Sequence, residues 1–216
     1  MAVKEIGMLF NSEMVRAILD GRKTQSRRPI KCDVIDAPFE DRIVFKGKFF
    51  RADGIYARGD GSICQPYPLF QLPDFCPFKV GDRIWVRETW RLWDSGLCGR
   101  GGDYCTCGVD GQPIYAASVA AGTRDEYKPW KPSIHMPRKL SRITLEIKSI
   151  RAERVKQITE EDVLDEGLGD GDTYETRADE YQAVWDAIYA ACGLGWNVNP
   201  WVWVIEFCKV NQKAQA

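Results

Sequence analysis

Apolar and polar positions change period several times along this chain, and each change marks an element. Residues 5–10 (EIGMLF) read as a short strand. Asn11 or Ser12 can cap a helix over residues 12–20, because a short side-chain oxygen accepts from an orphan backbone N–H. Met14, Val15, Ile18 and Leu19 then share one face of it. Gly21 is placed to end that helix in a left-handed conformation, and Pro29 keeps the following chain extended. Residues 33–78 are irregular, and five prolines between Pro38 and Pro77 exclude a long helix there. The turn Lys79–Asp82 leads into an alternating strand over Arg83–Trp90. Ile84, Val86 and Glu88 share one side of it; Trp85, Arg87 and Thr89 share the other.

Residues 94–113 form a glycine-rich loop, and Ile114–Ser118 reads as a strand. Arg142–Ile150 alternates as a strand that Arg151–Val155 continues. Thr159 caps a helix whose first turn is acidic and whose end falls at Gly167. A further helix over residues 175–191 presents Tyr181, Val184, Trp185 and Ile188 as its apolar face, and WVWVIEF (Trp201–Phe207) is a closing strand. There is no internal repeat. This order predicts an α+β fold: a small mixed β-barrel with flanking helices, one domain over 1–216, with irregular insertions at 33–78 and 94–113.

Composition adjusts that picture in two ways. With 216 residues and 44% hydrophobic positions the chain can bury a sizeable core. Its 30 Lys and Arg against 31 Asp and Glu exclude a globally basic wrapper of nucleic acid. Locally the charges separate. Residues 128–156 carry nine Lys or Arg against two acids, Arg22–Lys31 carries five bases and no acid, and residues 160–180 carry ten acids against Arg177 alone. No apolar run reaches the ~18 residues of a membrane span. The N-terminal MAVKEIGMLF is too short and charged for a signal peptide, so a cytoplasmic location is expected.

The eight cysteines are then expected to be thiols or metal ligands. Cys98, Cys105 and Cys107 can hold structural zinc with Cys64 or Cys76, or remain free thiols; the spacing lacks the paired C-x-x-C form. Cys192 and Cys208 sit in apolar stretches and are assigned to the core. No other cofactor is implied.

GRKTQSRR (Gly21–Arg28), directly after a short helix, can be read as an ordinary basic helix cap. It also resembles the signature of the ASCH family, a branch of the PUA-like barrels, whose Gly, Lys and Arg match Gly21, Lys23 and Arg28. KVGDRIWVRETW resembles the barrel strand that follows the signature, TEEDVLDEGL the helix that carries an acidic residue, and WVWVIEF the closing strand. The layout resembles the longer ASCH proteins of bacteriophages and prophages. One ASCH branch consists of N4-acetylcytidine amidohydrolases that use a Lys, a Thr hydroxyl and a Glu. Carried over, those roles fall on Lys23, Ser26 (where the family has Thr) and Glu166.

The resemblance implies a site for RNA, a nucleoside or a nucleotide, with Lys23, Ser26 and Glu166 as candidate catalytic residues. Arg28, Arg27, Thr24, Glu88 and Trp85 are candidates for holding the substrate. Four functions stay open at this point: a binding module for RNA or a modified base, an N4-acylcytosine hydrolase, a ribonuclease, or a phage morphogenesis factor without catalysis. Glu88 can also pair with a structural arginine. His135, the only histidine, sits between prolines in a setting that offers no base. A small closed pocket around Lys23, Ser26 and Glu166 favours small-molecule chemistry; an open basic groove from Arg28 to Lys139 and Arg142 favours RNA.

Overall fold

A computed structural model describes residues 3–30, 76–93, 111–119, 129–169 and 174–210, with five short strands between residues 42 and 68. The rest of the 33–75 stretch and the loop bearing Cys98, Cys105 and Cys107 lie outside the described residues. The elements run β1 (Glu5–Leu9), α1 (Ser12–Leu19), β2 (Gln25–Pro29), β3 (Arg42–Phe45), β4 (Lys48–Arg51), β5 (Tyr56–Ala57), β6 (Ile63–Cys64) and β7 (Tyr67–Pro68). They continue β8 (Arg83–Arg87), β9 (Trp90–Leu92), β10 (Pro113–Tyr115), β11 (Thr144–Arg154), α2 (Glu160–Asp165), α3 (Arg177–Tyr189) and β12 (Trp201–Lys209). The fold is α+β.

One five-stranded sheet organises the chain, in the order β1-β8-β11-β12-β2. β1 runs parallel to β8; the other pairs are antiparallel. Strands β3-β4-β7, β5-β6 and β9-β10 form small sheets of their own. The two edges of the main sheet, β1 and β2, are not paired through their backbones. They meet through a side chain: Arg28 Nη2 donates to the Leu9 carbonyl at 2.7 Å. The sheet is therefore open between these edges, not the closed barrel that the order of elements predicted, and α1 joins β1 to β2 in the chain.

The period-2 pattern of β12 explains why helices cover both faces at this end. Trp201, Trp203, Ile205 and Phe207 pack with Val15 and Ile18 of α1 and with Ile84, Val86, Leu145 and Ile147. The intervening Val202 and Val204 pack on the opposite face with Val163 of α2 and with Tyr181 and Trp185 of α3. A strand buried on both faces reads as a continuous apolar run, as WVWVI does.

Helix ends follow the expected chemistry. Asn11 accepts from the Met14 N–H at 2.8 Å, and Gly21 turns the chain out of α1 at φ +80°. Thr159 and Asp162 form a reciprocal capping box at the start of α2, at 3.1 and 3.0 Å. Removing the hydroxyl in Thr159→Ala is expected to cost about 1 kcal/mol in urea unfolding.

Several expectations change. Residues 116–118 form a 3-10 turn rather than the end of a strand, so β10 stops at Tyr115. Ile188 is 43% exposed instead of core, because α3 buries only a narrow face bearing Tyr181 and Trp185. Cys192 and Cys208 are exposed: one lies in the turn after α3, the other near the end of β12, beyond the strand's covered part. His135, by contrast, sits as its setting between prolines suggested, exposed on a 3-10 turn. Among the described residues no helix is long and apolar enough to cross a membrane.

Candidate functional site

The geometry of Gly21–Arg28 begins with two left-handed glycines. Gly21 ends α1, and the following Arg22 and Lys23 N–H groups both return to the Ala17 carbonyl, at 2.9 and 3.1 Å. Gly167 ends α2 at φ +81° and lies so close to this turn that a Cβ there would stand 2.7 Å from Ala17 Cβ and 2.9 Å from Lys23 Cβ. Only a glycine lets the two chain segments touch. The backbones then join: the Thr24 N–H donates to the Asp165 carbonyl at 2.7 Å, and Lys23 and Glu166 form an isolated bridge.

Two residues separated by 143 positions thereby form a buried pair. Lys23 Nζ donates to Glu166 Oε2 at 2.5 Å and to the Glu166 carbonyl at 2.9 Å, with the lysine side chain fully enclosed. The other carboxylate oxygen of Glu166 accepts the Arg27 N–H at 2.7 Å. Burial pushes the Lys23 ammonium below its ordinary pKa. Glu166 pulls it back up, and Arg28 and Arg27 push it down again. Burial also raises Tyr181 well above the usual phenol range, and the Glu166 charge adds to it.

The acidic helix and the basic segment, far apart in sequence, neutralise each other. Arg27 reaches Glu153 at 2.6 Å and Asp162 at 3.0 Å, and Gln25 donates to Asp162 at 2.9 Å. Arg151 joins the same network through Glu153, Asp162 and Glu206. Burial alone would raise the Asp162 carboxyl, but the Thr159 N–H, Gln25 and the Arg27 charge hold it well below the usual range. A depressed folded-state pKa stabilises the fold fully above the unfolded value of about 3.9, and that share is lost as pH falls below it. Asp162→Asn is therefore expected to flatten the acid limb of the stability profile below about pH 4, measured by denaturant unfolding across pH.

Beside this network, at the open edge of β2, lies a pocket of about 300 Å³ counted to its mouth. Met14 of α1 and Ser26, Arg27, Arg28 and Glu166 form one side; Tyr181, Val184, Trp185, Ile188 and Tyr189 of α3 form the other. Water has access to only about 20 Å³ of it, room for roughly one molecule, so a larger ligand would sit in the mouth. The Trp185 and Tyr189 rings lie with centroids 4.4 Å apart and planes tilted by 43°.

Two guanidinium nitrogens of pocket-lining residues, Arg27 Nη1 and Arg28 Nε, are buried without a hydrogen-bond partner. Arg27 Nη1 has only Glu166 Oε1 at 3.6 Å. Among the described residues no hydrogen bond engages the Ser26 hydroxyl, although Ser26 is 4% exposed. Buried donors in native proteins are almost always paired; Arg87 Nε and the indole N–H groups of Trp90, Trp93 and Trp201 are also unpaired but lie away from this pocket, whereas Arg27 and Arg28 line it together with Ser26.

The remaining predicted residues lie elsewhere. Thr24 is exposed and bonds Asp165 at 2.8 Å, so it fastens β2 to α2 from outside the pocket. Glu88 is 1% exposed and binds Arg142 through both carboxylate oxygens at 2.9 Å, a closed pair that leaves it structural. Trp85 lies across Gly7, where a Cβ would meet its ring at 2.6 Å, under the Arg87 guanidinium. Among the described residues no cluster of three metal-ligating side chains occurs, and Cys76 is a buried thiol. Sequence reasoning placed Tyr181 and Trp185 in the core and passed over Tyr189. Their spacing of four on one helix was the available signal.

No family model matches the chain, and no solved structure matches it. Among curated proteins, a 39-residue stretch is 49% identical to proprotein convertase subtilisin/kexin type 6 of Homo sapiens. That stretch is 18% of this chain and spans 4% of the length of that protein, so it bears on neither the fold nor the site.

Proposed function

We propose that the pocket beside β2 binds a nucleobase-bearing small molecule, a nucleoside or nucleotide, and that the chain is an ASCH-type protein with a PUA-like sheet. The observation that carries this reading is the gathering of two orphaned guanidinium N–H donors and an unengaged serine hydroxyl opposite an aromatic wall. Base rings stack on such walls, and their carbonyl and ring nitrogen atoms accept from such donors. A long RNA is the weaker candidate, because the basic segment is spent on α2: Lys23 pairs with Glu166, and Arg27 with Glu153 and Asp162. Arg142 is spent on Glu88 and Arg138 on Glu5.

Titration calorimetry with cytidine, N4-acetylcytidine and a ten-nucleotide single-stranded RNA tests this choice. The proposal expects a mononucleoside to bind with shallow salt dependence, and the RNA to bind no more tightly per site. RNA binding that falls steeply with salt, without monomer binding, would overturn it.

A second reading, hydrolysis of an N4-acylcytosine, is supported by the downward push on Lys23 and its contact with Glu166. Ser26 Oγ would attack the acyl carbonyl and pass its proton to the neutral fraction of Lys23. Arg27 Nη1 and Arg28 Nε would donate to the oxyanion. Collapse would expel the cytosine amine with that proton, and water would release the acyl group from the serine. Lys23 and Ser26 share no hydrogen bond in this structure, so binding stands ahead of catalysis. If the chemistry runs, Ser26→Ala loses deacetylation of N4-acetylcytidine and Ser26→Thr keeps it, read by chromatographic release of cytidine.

A further inference from the structure

We infer that the ligand of this pocket carries a negatively charged group, a phosphate, seated at Arg28, so that nucleotides are bound in preference to nucleosides. The inference rests on the nucleobase reading above and adds the ligand's charge to it.

Charge bookkeeping around the pocket singles out Arg28. Lys23 is matched by Glu166; Arg27 by Glu153 and Asp162; Arg151 by Glu153, Asp162 and Glu206. Arg28 has no carboxylate partner among the described residues. Its Nη1 donates to the Tyr189 hydroxyl at 3.3 Å, its Nη2 to the Leu9 carbonyl at 2.7 Å, and its Cζ lies 5.4 Å from the Phe10 ring centroid. All three partners are neutral. They fix the guanidinium in place without cancelling its charge, and they leave the buried Nε without an acceptor.

A fixed, half-buried arginine held by neutral groups is a preorganised anion receptor, since its planar fork suits the oxygens of phosphate. Arg27 and Ser26 line the same pocket and stay available to the carbonyl and ring nitrogen atoms of the base. The one carboxylate in the lining, Glu166, is already engaged by Lys23 Nζ and the Arg27 N–H, which tempers its repulsion of an incoming anion. The aromatic side of α3 remains for the base. A ribose separates a base from its phosphate by a few bonds, which fits one pocket better than two.

The test compares cytidine, its 5′- and 3′-monophosphates and ribose 5-phosphate by titration calorimetry, in wild type and in Arg28→Met and Arg28→Lys. Circular dichroism and melting curves verify folding, and the affinity ratio of nucleotide to nucleoside is the readout. One monophosphate is expected to bind about ten-fold or more tighter than cytidine, the worth of a charge-assisted hydrogen bond. That ratio should fall to near one in Arg28→Met and be partly kept in Arg28→Lys. Equal binding of cytidine and both monophosphates overturns the inference while leaving the nucleobase reading intact. Ribose 5-phosphate binding as tightly as the nucleotide, with cytidine inert, keeps the phosphate seat and removes the base. Failure of every ligand to bind removes both.

Discussion

Glu166→Ala is expected to lose about 3–5 kcal/mol of stability, the range for stripping one partner from a buried ion pair. The cost follows from enclosure: Lys23 has no solvent to turn to, and its ammonium also loses the geometry that bound it to the Glu166 carboxylate. The Arg27 N–H loses its acceptor as well. The deficit should depend on pH in a definite direction. Without Glu166 the one strong upward pull on Lys23 is gone, and burial drives its folded-state pKa further below the unfolded value. The variant then sheds the lysine proton at lower pH than wild type, and in that window its stability rises with pH faster than wild type's. The gap should therefore narrow toward alkaline pH. The double variant Lys23→Met with Glu166→Gln removes both charges and keeps an acceptor for Arg27, so it should recover most of the loss. Urea unfolding of wild type, Lys23→Met, Glu166→Gln and the double variant, as a double-mutant cycle across pH with Glu166→Ala measured beside it, reads all of this.

Gly167→Ala is expected to be nearly as damaging, at about 2–5 kcal/mol. A left-handed alanine costs about 1–2 kcal/mol by itself, and overpacking adds about 1–3. The new methyl would meet Ala17 Cβ at 2.7 Å and Lys23 Cβ at 2.9 Å, so α2 must retreat from α1. That retreat pulls Glu166 from Lys23 and Asp165 from Thr24. Gly21→Ala is the control: its φ is +80°, yet nothing lies within 4 Å of the added carbon. It should cost the left-handed share alone. Equal losses in the two variants would show that the close approach at Gly167 has no energetic weight.

Much of the site's frame was legible in local chemistry. The Asn11 and Thr159 caps, the glycines after α1 and α2, and the WVWVI run each declare their element from a few residues. Lys23 with Glu166 was legible only through the ASCH resemblance, because no local rule joins positions 143 apart. What the sequence hid was compensation. GRKTQSRR looks like a basic patch for a polyanion until α2 is laid against it, and then Arg28 alone lacks an acidic partner. That Glu88 pairs with a structural arginine was legible, but that the arginine is Arg142, and that Trp85 lies across Gly7, depends on neighbouring strands and was hidden. Thr24 misled because it lies just before β2, where Asp165 at the end of α2 takes its hydroxyl outside the pocket that Ser26 lines. Exposure of Cys192 and Cys208 depends on how far the helices reach over β12, which residue type does not encode.

The central claim is that the orphaned donors beside β2 receive a nucleobase-bearing ligand. Amide and side-chain chemical-shift mapping with N4-acetylcytidine and cytidine 5′-monophosphate tests it most directly. The account predicts saturable shifts concentrated at Ser26, Arg27, Arg28, Tyr181 and Tyr189, with the Arg28 Nε–H resonance moving most for the nucleotide. Shifts gathered elsewhere on the sheet, or none at millimolar ligand, would contradict it.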